Sequence, residues 1–422
     1  MLIHHKHLRL GIHDMKKAFR YLWIGQSFAN IADLFYIVGL ITIIYARTGS
    51  AVYMAILPFT ITCAAFVGGL FIPLLIDRFV LTKILVYSQL GKTIVLLFLV
   101  LFISEIPLVF LFALVMIISL LDAMATPASH SMIPILMNQD ELIKANSFLS
   151  IVDQTIQLGG WAVGGMVVAL IGATNIVWLT LGLFTLSTIM MSLIRVKEPA
   201  KDKKDRMKPW ASLQEGWILL WSNKALKVIS INVVIESIAY VVWIAAIIYV
   251  YVEQVLHETE EWWGYINASF MFGLLIGGFF MLKRSKQFES HKKLYLALGS
   301  FICFAATFVF GILSLPWLAL FISFVFGIAE QVKGISMQTI TQQAVAVNSL
   351  PKIYSAHGAL SSISFGTASL VMGLLTDAYG ARFVFMISAG LMFISFLVIQ
   401  TNMTHLVKNK GTVDNQAQHV KL

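Results

Sequence analysis

The chain has 422 residues, of which 59% are hydrophobic and 12% charged, and its mean hydropathy is +0.84. Soluble domains carry about twice that share of charge, so a large soluble core is excluded and a polytopic membrane protein is indicated. The net charge of +9 suggests nucleic acid at first sight, but the placement of the charges described below removes that reading.

The first twenty residues are basic and polar, with His4, His5, Lys6, His7, Arg9, Lys16, Lys17 and Arg20. This stretch reads as a solvated cytoplasmic tail, with metal binding by the histidines as the alternative. No cleavable signal is visible, because the first apolar stretch is full membrane length and lacks a cleavage site. A span needs about 20 apolar residues. That ruler gives twelve candidates, at 21–45, 51–76, 84–104, 107–128, 146–171, 175–194, 226–251, 262–282, 294–314, 316–339, 355–376 and 381–402. Twelve is even, so both termini lie on one side. With that side cytoplasmic, only Arg47 and Arg382 of the 30 basic residues fall outside, which is a strong positive-inside pattern. The outer loop between the seventh and eighth spans is acidic instead, with Glu253, Glu258, Glu260 and Glu261.

The longest polar stretch runs from 195 to 224 and divides the chain into two six-helix halves. It reads as a solvated linker, with a surface helix near Trp210, Trp217 and Trp221. The halves show weak self-similarity at an offset of about 210, where Gly68 and Gly69 match Gly277 and Gly278, and Asn138 matches Asn348. A duplicated six-helix unit is the pattern of transporters whose site lies at the repeat interface. Cys63 and Cys303 fall inside spans and read as buried thiols, with no disulfide framework or metal spacing.

Polar residues inside the spans are the candidate site, because exposing them to lipid costs a few kcal/mol or more. The stretch 229–251 carries Asn232, Glu236, Tyr240 and Trp243 at spacings of 4, 4 and 3, the spacing of one helix face. Glu236 lies about ten residues into its span, roughly 15 Å deep. It reads as a proton- or cation-binding group, or else as a carboxylate neutralised by a nearby lysine or proton. The first span carries Gln26, Asn30 and Asp33 on one face. The fifth carries Asp153, Gln157, Gly160 and Gly164, whose small residues indicate close helix contact. Glu330 in the tenth span reads either as paired with Lys333 or as a proton site. His357, in the eleventh, reads as capping or packing. Lys92 and Asp122 sit toward the cytoplasmic side and read as an ion pair controlling closure. Tyr240 and Trp243 read as an aromatic wall or cation–π partner, or as packing residues. No phosphate-binding glycine loop, His-Glu-x-x-His or paired Cys motif is present, so ATP-driven pumping and enzymatic chemistry are not expected.

Three blocks resemble the major facilitator superfamily. Gly68-Gly69-x-x-x-Pro73-x-x-x-Asp77-Arg78 resembles that family's signature loop between helices 2 and 3. Asp77 and Arg78 match it, whereas Val80, Leu81 and Thr82 replace its Gly and basic pair. Thr126-Pro127-Ala128, Ile133-Pro134, Asp140-Glu141-Leu142, Ala145-Asn146-Ser147 and Gly160-x-x-x-Gly164-Gly165 are similar to the macrolide-efflux and enterobactin-exporter branch. So is the first-helix block Phe19-Arg20-x-Leu22-Trp23-x-Gly25-Gln26 with Asp33 and Thr48-Gly49-Ser50. The resemblance implies acidic residues of helices 1, 7 and 10 in proton or cationic-drug binding, positions held here by Asp33, Glu236 and Glu330.

The expectation is an all-α integral membrane protein of twelve transmembrane helices in two pseudo-symmetric six-helix bundles. The bundles are 1–194 and 226–405, joined by a linker at 195–225 and followed by a cytoplasmic tail at 406–422. The expected activity is export of amphipathic small molecules, drug-, macrolide- or siderophore-like, in exchange for protons across a bacterial plasma membrane. A proton-coupled importer of a metabolite and a non-transporting receptor are the alternatives. Asp33, Glu236 and Glu330 are the expected ionisable site, with Gln26, Asn30 and Asn232 as hydrogen-bonding partners. Asp77, Arg78, Lys92 and Asp122 are the expected gate. The expected partners are substrate, protons and lipid, with no cofactor or metal, and the chain is expected to act as a monomer.

Overall fold

The computed structural model describes residues 2–49, 51–76, 78–103, 105–196, 209–243, 245–259 and 261–406. Among the described residues the regular structure is entirely helical. The long helices are α1 (Leu2–Thr48), α2 (Ala51–Ile76), α3 (Leu81–Leu101), α4 (Leu108–Leu136), α5 (Leu142–Ile171) and α6 (Ala173–Ser192). They continue as α8 (Lys224–Ala239), α10 (Glu261–Lys283), α11 (Ser285–Ile312), α12 (Pro316–Ala344), α13 (Leu350–Tyr379) and α14 (Ala381–Thr401). Shorter helices are α7 (Pro209–Ser222), within the expected linker, α9 (Ala245–Tyr251) and α15 (Met403–Leu406). Among the described residues, eleven helical segments are long and apolar enough to cross a membrane; the remaining expected span, 146–171, falls on α5, of 30 residues. Helices are the form expected here, because a span in hydrocarbon must satisfy its backbone hydrogen bonds internally.

The chain divides into two units, Met1–Gly216 with Val347–Ala359, and Trp217–Ala346 with Leu360–Leu422. In the first unit α1 is the central packing element. A Cβ at Gly39 would meet Ile176 of α6 at 2.7 Å, and one at Gly160 of α5 would meet Leu34 at 2.3 Å. The glycines of α5 therefore set its close approach to α1, as their spacing indicates. Gly68 of α2 is placed in the same way against Ala123 of α4. The start of α13 also belongs to this unit: Ser355 donates to the Gly69 carbonyl, and Lys352 pairs with Glu215 of α7.

In the second unit α10 and α12 touch backbone to backbone. A Cβ on Gly327 would lie 2.3 Å from the Phe270 carbonyl oxygen, and one on Gly273 would lie 2.2 Å from that of Phe324. The seventh span is not one regular helix. After Ala239 the chain tightens into a 3₁₀ turn at Tyr240–Trp243, resumes as α9, and ends in a wide π turn at Val252–Leu256. A 3₁₀ turn winds at three residues per turn instead of 3.6. Tyr240 still donates its backbone N–H to the Glu236 carbonyl, so the single face inferred for Asn232, Glu236, Tyr240 and Trp243 holds to Tyr240 and is broken before Trp243.

Among the described residues, two main apolar clusters are stacked along the helices of each unit, with a smaller one at Ile133, Leu142 and Ala145 in the first. In the first, one cluster takes Ala32 and Leu40 from α1, Leu96 and Leu99 from α3, and Leu111 and Ile118 from α4. The other takes Leu22, Leu85 and Met132 from the same three helices. In the second unit, one cluster contains Ala239, Phe310, Phe326 and Met392, and the other Ile229, Leu296, Ile340 and Ile399. A thin polar layer separates the clusters in each unit.

Candidate functional site

In the first unit that layer is centred on Lys92. Its side chain is 0% exposed, yet it lies midway along an apolar helix. An ammonium there needs every hydrogen bonded and its charge countered. Asp33 of α1 accepts from Lys92 Nζ at 3.0 Å on both carboxylate oxygens, and Asp122 of α4 accepts at 2.7 Å. The Phe184 ring of α6 lies 4.6 Å from the same nitrogen. The carboxylates are the accessible part of the triad, with Asp33 28% and Asp122 47% exposed.

The second unit builds the same arrangement from different helices. Lys333 of α12 is 2% exposed, 3.1 Å from Glu236 Oε2 and 2.6 Å from Glu330 Oε2. Glu236 is 17% exposed and Glu330 23%. Ser395 of α14 places its hydroxyl 2.7 Å from Glu236 Oε1 and 2.6 Å from Asn232 Oδ1. Asn232 Nδ2 donates to the Val228 carbonyl at 2.8 Å, and the Cys303 thiol of α11 lies 3.6 Å from Glu330 Oε2. Each triad therefore sets two carboxylates against one lysine, a surplus of one negative charge when all three are ionised. Lipid is a costly neighbour for such a group, so the accessible carboxylate edges must face water or polar partners.

The expected site residues fall into place unevenly. Asp33 joins Lys92 and Asp122, so the ionisable site and the expected gate pair are one cluster. Lys92 and Asp122 lie midway along their helices. Glu330 does pair with Lys333, but Lys333 is shared with Glu236. Asn30 donates to Asp153 of α5 at 2.8 Å, and Gln26 is half-buried on α1. Tyr240 is half-buried beside Phe270 and Phe326. Trp243 is 5% exposed, stacks on Phe326 at 4.0 Å and donates to Thr307 at 3.1 Å, which makes it a packing residue. Arg78 is exposed in the turn after α2, and Asp77 lies outside the described residues. Ser395 was not among the expected residues. Nothing marks a lone serine in a span, and it gains meaning only from the carboxylate opposite. Among the described residues, no group of three His, Cys, Asp or Glu side chains is placed to hold a metal ion.

A sequence profile described as the Major Facilitator Superfamily matches residues 22–365. The chain is 28% identical over 385 residues to the uncharacterized MFS-type transporter YfmI of Bacillus subtilis (strain 168), covering 90% of this chain and 94% of that one. It is 25% identical over 384 residues to the uncharacterized MFS-type transporter YjbB of the same organism, covering 89% and 93%. Among solved structures, a bacterial homologue of the iron transporter ferroportin in an outward-facing state aligns with TM-score 0.70 at 13% identity, covering 92% of this chain and 99% of that one. The Escherichia coli fucose:proton symporter FucP (N162A) aligns with TM-score 0.71 at 12% identity, covering 93% and 98%. At such identities these structures share the fold with this chain and nothing finer.

Proposed function

This chain belongs to the Major Facilitator Superfamily, and from that premise we propose that it is a proton-coupled exporter of amphipathic small molecules. As a member it is a multi-pass membrane transporter working by alternating access. The proposal adds the direction, the coupling ion and the substrate class, drug-, macrolide- or siderophore-like. It also places both termini in the cytoplasm of a bacterial cell and takes 1–194 and 226–405 as the two repeated halves.

The observation that carries the reading is the pair of buried lysines, each held between two carboxylates. Burial without a counter-charge favours the neutral form of a carboxylate, and each triad has one carboxylate more than its lysine can balance. A proton supplies the missing charge when no substrate is bound. A cationic or donor-rich substrate supplies it otherwise, so the two compete. Competition for one surplus charge, in a protein that opens to one side at a time, is the physical content of antiport. The resemblance of residues 19–170 to the drug-exporter branch supports the outward direction.

The test is the luminal pH of proteoliposomes holding a preset proton gradient, read while a macrolide, a lipophilic cation or a siderophore is added. Wild type is run beside Glu236→Gln. Collapse of the gradient in wild type alone supports exchange. Substrate uptake with protons moving in the same direction would make the protein an importer. Substrate flux without protons in both proteins would remove the coupling role of the triads.

A further inference from the structure

We infer that, within the proton-coupled reading above, the coupling proton sits on Oε1 of Glu236 and is held by a one-way hydrogen-bond chain through Ser395 to Asn232. The first link fixes an orientation. Asn232 Nδ2 lies 2.8 Å from the Val228 carbonyl, and a flipped amide would set two oxygens against each other. Asn232 therefore presents Oδ1, which can only accept, to Ser395 Oγ at 2.6 Å.

The second link is a hydrogen count. A serine hydroxyl has one hydrogen, and Asn232 Oδ1 is within its reach. Ser395 Oγ is also 2.7 Å from Glu236 Oε1. With Glu236 ionised, the single hydrogen serves one of these two acceptors, and the other contact is oxygen against oxygen with no hydrogen between them. With a proton on Oε1, Glu236 donates to Ser395, Ser395 donates to Asn232, Asn232 donates to the backbone, and every acceptor is served.

Two further observations agree. Lys333 is closer to Glu330 than to Glu236, at 2.6 against 3.1 Å, as expected if Glu330 is the charged partner and Glu236 the neutral one. The charge count also balances with one proton on the triad. The titratable groups around Glu236 are Lys333 and Glu330 on α12, Cys303 on α11 and Tyr240 one turn along its own span. Lys333 counters a single carboxylate. In the first unit Lys92 is likewise closer to one carboxylate, 2.7 Å from Asp122 against 3.0 Å from both oxygens of Asp33. What sets the second triad apart is the chain through Ser395 and Asn232, which holds the proton on Glu236.

The proton comes from water and returns to it; no other bond forms or breaks. On ionisation, Ser395 can serve either Glu236 or Asn232, so one acceptor goes short. A substrate carrying an ammonium or hydroxyl donor fills that place. Ser395 is thus a positioning residue that makes proton loss favourable only when substrate arrives.

The experiment is infrared difference spectroscopy of the full chain in lipid nanodiscs, titrated with pH and read at the protonated-carboxyl stretch. Wild type should show a titrating band that Glu236→Gln abolishes. Asn232→Leu frees the serine hydrogen for the carboxylate, which should weaken proton binding about tenfold, the worth of one hydrogen bond to a charged group. Ser395→Thr keeps the hydroxyl and should keep the wild-type titration, while size-exclusion profiles establish that each variant is folded. A band that survives Glu236→Gln places the proton elsewhere, and an unchanged titration in folded Asn232→Leu removes the chain from the mechanism. Substrate-driven proton release in liposomes without a Glu236 band overturns this inference and leaves the antiport reading intact. A Glu236 band without proton-coupled flux does the reverse.

Discussion

Replacing Lys92 with methionine removes the charge from the first triad while nearly conserving side-chain length and apolar volume. The fully buried nitrogen makes three hydrogen bonds, two at 3.0 Å to Asp33 and one at 2.7 Å to Asp122. Removing one partner of a buried ion pair costs about 3–5 kcal/mol, because the other charge is left uncompensated. Asp122 is about half exposed and Asp33 about a quarter, so water recovers part of that, and the expected loss for Lys92→Met is at the lower end, about 3 kcal/mol. The Lys92→Met/Asp33→Asn double variant removes the more buried of the two orphaned carboxylates and leaves Asp122, the more exposed one, to water. It should unfold within about 1 kcal/mol of wild type, since replacing both members of a buried pair is often neutral. The coupling between the two sites would then be about 2–3 kcal/mol. The assay is thermal and denaturant unfolding in nanodiscs, with the exposed Lys16→Met as reference. If Lys92→Met costs no more than Lys16→Met, or the double variant is no more stable than the single one, the triad is not an electrostatic unit and the argument fails.

Gly327→Val should cost about 1–3 kcal/mol by overpacking, because its Cβ would lie 2.3 Å from the Phe270 carbonyl. Gly334→Ala, seven residues on with nothing within 4 Å of the new Cβ, should be neutral or gain up to about 1 kcal/mol of helix propensity; equal melting shifts in both would refute the α10–α12 contact. Trp243→Ala should lower stability by about 3–5 kcal/mol while leaving the substrate KM of the folded fraction unchanged, and a selective rise in KM would return Trp243 to the substrate site. Ser187→Ala removes the 2.7 Å donation to the Gly25 carbonyl that ties α6 to α1, and unfolding midpoints should report a loss of about 1 kcal/mol.

The spans are legible in the sequence because crossing a membrane is a local demand: every stretch must be apolar for its own length and must close its own backbone hydrogen bonds. The charges that stand inside those stretches are legible for the same reason, which is how Asp33, Glu236 and Glu330 stand out by pattern alone. The glycines of α5 are likewise read correctly, since a stripe of small residues matters only if another helix lies on it.

Which charges meet is a different kind of fact. Lys92 lies 59 residues from Asp33 and 30 from Asp122, and nothing local joins them. The depth at which three helices cross decides that they form one cluster instead of a site and a separate gate. Lys333, three residues from Glu330, reads as that residue's own partner until α8 brings Glu236 to its other side. The 3₁₀ turn that carries Trp243 into the core is set by packing against Phe310 and Phe326, beyond the reach of any spacing rule. Periodicity thus determined what enters the membrane and which residues are too polar to be there idly. The packing of helices distant in sequence determined which of those residues share a charge.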